Sequence, residues 1–126
     1  MPPKKTAVVF FAHGSSIESA NEAVREVARE AARRGGFDLW ETAFLGGGRP
    51  DLDEAAERLV SAGAARVVVV PYFLTLGLHL QRDLPALVSD VAKAFPGVEF
   101  TCGEPLDGHP ALAEILADRA REAQSR

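Results

Sequence analysis

The sequence predicts an open α/β fold: a four-stranded parallel sheet in the order 2-1-3-4, flanked by helices on both faces. Three observations lead there. Short apolar runs alternate four times with helical stripes across residues 1–126, with no linker between halves, which reads as a single domain. The run Ala7-Val8-Val9-Phe10-Phe11 is continuously apolar, as a parallel strand buried on both faces must be, and Val67-Val68-Val69-Val70 is the strongest strand signal in the sequence. Glycine and proline stand at the ends of the periodic segments rather than inside most of them.

Taken in order, Thr6 to Ala12 is the first strand. Ser19 to Arg34 is a helix whose stripe is Ala20, Val24, Val27, Ala28 and Ala31, ended by Gly35-Gly36. Asp38 to Leu45 is a less uniformly apolar second strand. The loop Gly46-Gly47-Gly48-Arg49-Pro50 then leads to Asp51 as N-cap. The second helix runs from about Leu52 to Ala62, burying Leu52, Ala55, Ala56 and Leu59, and stops at Gly63. Arg66 to Tyr72 is the third strand. A loop through Leu78 leads to a third helix from about Leu80 to Phe95, with Leu84, Leu87, Val88, Val91 and Ala92 inward. Pro96-Gly97 breaks it, Val98 to Cys102 is a short fourth strand, and Pro110 opens a last helix to about Ala123. Right-handed crossovers put strands 1 and 3 side by side, with the chain reversing direction between them.

Composition excludes several classes. With 47% hydrophobic and 25% charged residues, the chain has the balance of an ordinary globular domain, and its length suffices for a core without disulfides. A net charge of -4 with no basic block argues against a nucleic-acid surface. The lone Cys102 forms no internal bridge, the first apolar run is too short for a membrane span, and Phe10-Phe11-Ala12-His13 is no cleavage site; the expected location is the cytoplasm.

Two histidines carry the chemistry. His13 follows the first strand in Ala12-His13-Gly14-Ser15-Ser16, and His79 follows the third in Gly77-Leu78-His79. If those strands are neighbours, both imidazoles emerge at the carboxyl edge of the sheet, where open α/β folds build ligand sites. Two neutral imidazoles facing one cleft seat a divalent transition metal. Gly14 lets the backbone approach a ligand, while Ser15, Ser16 and nearby N–H groups suit a carboxylate or phosphate. Leu76, Gly77 and Leu78, in the apolar loop Phe73–Leu78, offer a wall for a flat organic ligand, though such a loop also serves as core or subunit interface.

Other features have plainer readings. His109 closes a turn before the last helix, and Cys102 is a small buried hydrophobe. Lys4, Arg49 and Arg82 are candidate anion contacts, with Arg82 the best placed, three residues past His79. Gly46-Gly47-Gly48 lacks the Lys-Ser/Thr ending of a P-loop and reads as a flexible connection. A histidine-phosphatase reading fails at Ala12, where that chemistry wants an arginine before the histidine.

Val8-Val9-Phe10-Phe11-Ala12-His13-Gly14-Ser15, Ala43-Phe44-Leu45, Arg49-Pro50-Asp51-Leu52, the segment from Val69-Val70-Pro71 through His79-Leu80-Gln81-Arg82-Asp83-Leu84-Pro85, and Pro105-Leu106-Asp107-Gly108-His109-Pro110 resemble the small CbiX and SirB type chelatases over nearly the whole chain. The resemblance implies a half-size class II chelatase inserting cobalt, iron or nickel into sirohydrochlorin, in cobalamin or sirohaem-type tetrapyrrole biosynthesis. It implies a homodimer with the tetrapyrrole cleft between parts of the assembly, no tightly bound cofactor, and His13 and His79 as the catalytic, metal-binding pair. Gly14, Ser15, Ser16, Leu76, Gly77, Leu78 and Arg82 are the expected substrate contacts, and His13 the candidate proton acceptor. Some relatives place a glutamate where this sequence has Gly46. The alternative is a non-catalytic metal or tetrapyrrole carrier, which predicts stoichiometric binding without turnover.

Overall fold

Continuous β-branched and aromatic sequence makes Thr6–Ala12 (β1) and Arg66–Tyr72 (β3) the two central strands of the sheet in this computed structural model, which describes residues 5–126. They pair in parallel, Val8 beside Val68 and Phe10 beside Val70. Leu39–Phe44 (β2) lies on the other side of β1, and Glu99–Cys102 (β4) forms the far edge beside β3, giving the predicted order β2-β1-β3-β4. Glu18–Gly35 (α1), Leu52–Ser61 (α2), Leu78–Lys93 (α3) and Pro110–Gln124 (α4) complete the chain.

The larger core lies between one sheet face and α2 with α3. Ala7, Val9, Phe11, Val67 and Val69 meet Leu52, Ala55, Ala56 and Leu59 of α2, and Leu84, Val88 and Val91 of α3. The opposite face carries a smaller cluster in which Val8 and Phe10 meet Ala28 and Ala32 of α1. Among the described residues no helix is long and apolar enough to cross a membrane.

The structure departs from the sequence reading in three places. Helix α3 begins at Leu78, two residues early, with Gly77 as N-cap, so His79 sits in the first helical turn rather than in a loop. The α1 stripe faces the core only in part: Ala28 is buried, but Ala20 and Val27 are exposed and Val24 and Ala31 half-buried. Asn21 takes the inward position instead, drawn there by hydrogen bonds to two loops. Finally, α4 buries none of its residues. Lys4 lies outside the described residues.

Candidate functional site

The β1–β2 ladder runs on past the strands. Leu45 N–H donates to the Ala12 carbonyl at 2.9 Å and Gly46 N–H to the His13 carbonyl at 3.0 Å, so the two loops that follow are locked side by side. Their approach is close enough to demand glycine: Gly14 adopts φ +90°, and a Cβ there would lie 1.7 Å from the Gly46 carbonyl oxygen. Gly47, at φ +72°, abuts the backbone of Ser15 in the same way. The glycine triplet is therefore packed against the His13 loop, not the flexible connection the sequence suggested. Gly46 itself is different, because a side chain there would project into open space.

Asn21 pins the pair from below. Its Oδ1 accepts from Ser15 N–H at 2.9 Å, and its Nδ2 donates to the carbonyls of Ser15 at 2.8 Å and Gly47 at 3.2 Å. Asn21 is itself 1% exposed, so its amide depends on these protein partners. Glu18 joins the cluster through Arg25 and then Asn21, whose hydrogen bonds hold its carboxyl below the usual carboxylate range. On the far side of the glycine loop, Asp51 and Glu54 form a reciprocal capping box at the start of α2.

His13 and His79 line one cleft of about 590 Å³. The His13 ring packs edge-on against Phe73 with centroids 6.1 Å apart, and Phe73 packs in turn on buried Phe11. His79 projects from the first turn of α3. Leu80, Ala86 and Leu87 of the same helix and Leu45 after β2 make the wall apolar, while Asp83 and Asp90 add two carboxylates. The α3 start has no side-chain cap and no acidic residue in its first turn, which leaves its leading N–H groups open to an anion. Among the described residues, no group of three or more His, Cys, Asp or Glu side chains is arranged to hold a metal ion.

The other expected site residues are distributed around this cleft rather than lining it. Gly14 and Ser15 shape the His13 loop, but the Ser15 N–H is already taken by Asn21 and its hydroxyl accepts from Ile17 N–H at 3.0 Å. Ser16 is exposed, Leu78 is 82% exposed, and Arg82 is exposed on α3. Leu76 lines a neighbouring depression with Cys102, Glu104 and Asp107. Arg49 is paired with Glu54 at 2.9 Å, and His109 caps α4 by accepting Ala111 N–H on Nδ1 at 3.0 Å. Burial pushes the Cys102 thiol up, as befits a small packed side chain.

Sequence reasoning missed Asp83, Asp90 and Asn21. The signal for the first two was present. Positions 79, 80, 83, 86, 87 and 90 recur at helical spacing, so His79, Asp83 and Asp90 share one face with the leucines. For Asn21 the only signal was a polar residue next to an apolar stripe.

A family model, CbiX, matches residues 7–123. The chain is 31% identical over 118 residues to a sirohydrochlorin ferrochelatase, chloroplastic, from Arabidopsis thaliana, a match covering 94% of this chain and 52% of that one. It is 34% identical to a sirohydrochlorin cobaltochelatase from Sulfolobus acidocaldarius, covering 94% of this chain and 92% of the relative. The crystal structure of a CbiX protein from Marinobacter aquaeolei VT8 superposes with a TM-score of 0.84 at 28% identity, covering 96% and 98% of the two chains. The chain thus spans about half the length of the Arabidopsis relative and nearly all of the other two.

Proposed function

This chain belongs to the CbiX family, and on that premise we propose that it inserts a divalent metal ion into sirohydrochlorin, cobalt first and iron or nickel as alternatives, in cobalamin or sirohaem-type tetrapyrrole biosynthesis. The observation that carries the reading is the placement of His13 and His79 on one apolar-walled cleft. The Sulfolobus relative is named for cobalt and the Arabidopsis relative for iron, and imidazole ligands accommodate either. The metal is substrate, and no tightly bound cofactor enters the proposal. A resident metal site would want three or four protein ligands. Two imidazoles suit an ion that is held on one face and then passed to ring nitrogens.

Each divalent ion that enters the macrocycle displaces two pyrrole protons, so the cleft must supply acceptors. We assign one to His13, beside the polar loop, and one to Asp83, one turn beyond His79 on the same helix face. Leu45, Leu80, Ala86 and Leu87 contact the ring, and the open N–H groups at the start of α3 receive a peripheral carboxylate. Exposed Ser16 and Arg82 remain assigned to the other carboxylates; Gly14, Ser15, Leu76, Gly77 and Leu78 shape the surroundings. A homodimer and a cytoplasmic location complete the proposal. The first is what membership of the family implies for a chain of this length, and the second rests on the lone cysteine.

The test incubates purified protein with sirohydrochlorin and Co²⁺ and follows the absorbance change against the uncatalysed rate. Catalytic turnover supports the proposal; stoichiometric binding with no turnover identifies a carrier instead. Asp83→Asn is expected to lower turnover about tenfold or more while Co²⁺ binding persists. An unchanged rate removes Asp83 from the proton path. Because a Cβ at Gly46 meets nothing within 4 Å, Gly46→Glu should fold normally and restore turnover to the Asp83→Asn variant by supplying a second carboxylate on the adjacent loop. Continued low turnover in the double variant would show that the carboxylate does not reach the reacting protons.

A further inference from the structure

The outer edge of the sheet, at β2, holds a pocket of about 290 Å³ that shares no lining residue with the cleft of His13 and His79. Four arginines from three elements line it: Arg25 and Arg29 of α1, Arg49 of the glycine loop and Arg58 of α2. Two of the four are engaged elsewhere. Arg25 holds Glu18 at 2.6 Å and the Arg49 carbonyl at 3.2 Å, and Arg49 holds Glu54 at 2.9 Å. The other two are free. Among the described residues the Arg29 guanidinium pairs with no carboxylate, and Arg58 stands 3.8 Å from Glu41, too far for a hydrogen bond.

Thr42 lies on the strand between them. The Leu45 N–H donates inward to the Ala12 carbonyl beyond β1, while the Phe44 N–H turns outward to the Pro50 carbonyl. N–H groups alternate in direction along a strand, so the Thr42 N–H also turns outward, and β2 is the edge of the sheet with no strand to receive it. Among the described residues the Thr42 hydroxyl makes no hydrogen bond, although Thr42 is only 4% exposed. No fully enclosed side-chain oxygen among those residues lacks a partner, so this hydroxyl opens onto the pocket that it lines. Polar groups this deep are rarely left without a partner.

We propose that this pocket binds a phosphate group, held by Arg29 and Arg58 from either side of β2 and by the N–H and hydroxyl of Thr42. Helices α1 and α2 pack on opposite faces of the sheet, so the donors arrive from three directions. That spread suits a tetrahedral oxyanion, whereas a planar carboxylate is satisfied by one guanidinium fork. Glu41 is the one carboxylate that lines the pocket, and its loose contact leaves the Arg58 donors available. Half-buried Trp40 lines the same pocket, edge-on to Phe10, and offers an apolar surface to whatever carries the phosphate.

Trp40 is the chain's only tryptophan, so its fluorescence reports on this pocket. Titration with inorganic phosphate, at an ionic strength held constant with chloride, is expected to give a saturable change that acetate does not. Arg29→Gln and Arg58→Gln should each weaken phosphate binding about tenfold. Both side chains are exposed, so the fold should survive, and far-ultraviolet dichroism checks this. Phenyl phosphate separates the two sources of the group. Tighter binding than phosphate identifies a phosphate ester as the ligand; equal or weaker binding identifies free phosphate. No saturable change, an equal response to acetate, or full affinity in both variants overturns the site.

Discussion

Replacing His79 with alanine is expected to lower the rate of metal insertion into sirohydrochlorin at least about tenfold, and His13→Ala to do the same. Both histidines are exposed, so neither truncation opens a cavity, and thermal stability should stay within about 0.5 kcal/mol of the unmodified chain. That separation of activity from stability is what distinguishes a ligand from a packing residue. His79→Ala should also weaken Co²⁺ binding measured by titration, because one imidazole alone holds the ion poorly. Unchanged insertion rates in both variants would remove the two histidines from the chemistry and leave the cleft without a metal seat.

Asn21→Ala is expected to cost about 2 kcal/mol, since it removes a side chain that is itself 1% exposed and with it the partner of the Ser15 N–H and of the Ser15 and Gly47 carbonyls. Against a total stability of about 5–15 kcal/mol the loss is large, and the melting temperature should fall by roughly 10 °C. Turnover should fall as well at temperatures where the fold survives, because Asn21 is what ties the His13 loop to the glycine loop. Asn21→Asp keeps the acceptor for Ser15 N–H but turns a carboxylate toward two carbonyls and Glu18, so it should rescue little. A variant as stable as the unmodified protein would mean that the two loops are held by their own backbone hydrogen bonds alone.

Much of the fold was legible because the strongest signals were local. Val67 to Val70 leaves little choice but a strand, and the N-cap read at Asp51 is present in the structure, where Glu54 completes a capping box. The strand order followed from connection rules once four alternations were recognised. Helix α3 was misjudged by two residues because Gly77 was read as loop rather than as its N-cap, which displaced His79 from the helix to which it belongs. The stripe on α1 was read as core because periodicity reports only that a face is apolar, not which surface covers it. In the single chain Ala20 and Val27 of that stripe are covered by nothing.

From its residues alone this protein declares a parallel sheet, the positions of its turns and the two histidines at the carboxyl edge, since each is written in neighbouring residues whose propensities agree. Tertiary structure decided which side chains share the cleft with those histidines. Asp83 and Asp90 join His79 because the helix begins at Leu78 and turns that face outward, and Leu45 joins them from the loop after β2, 34 residues away in sequence from His79. It also decided that Asn21 points inward, because its three partners lie on loops that meet only once β1 and β2 have paired. Such convergence depends on long-range pairing, and no window of the sequence contains it.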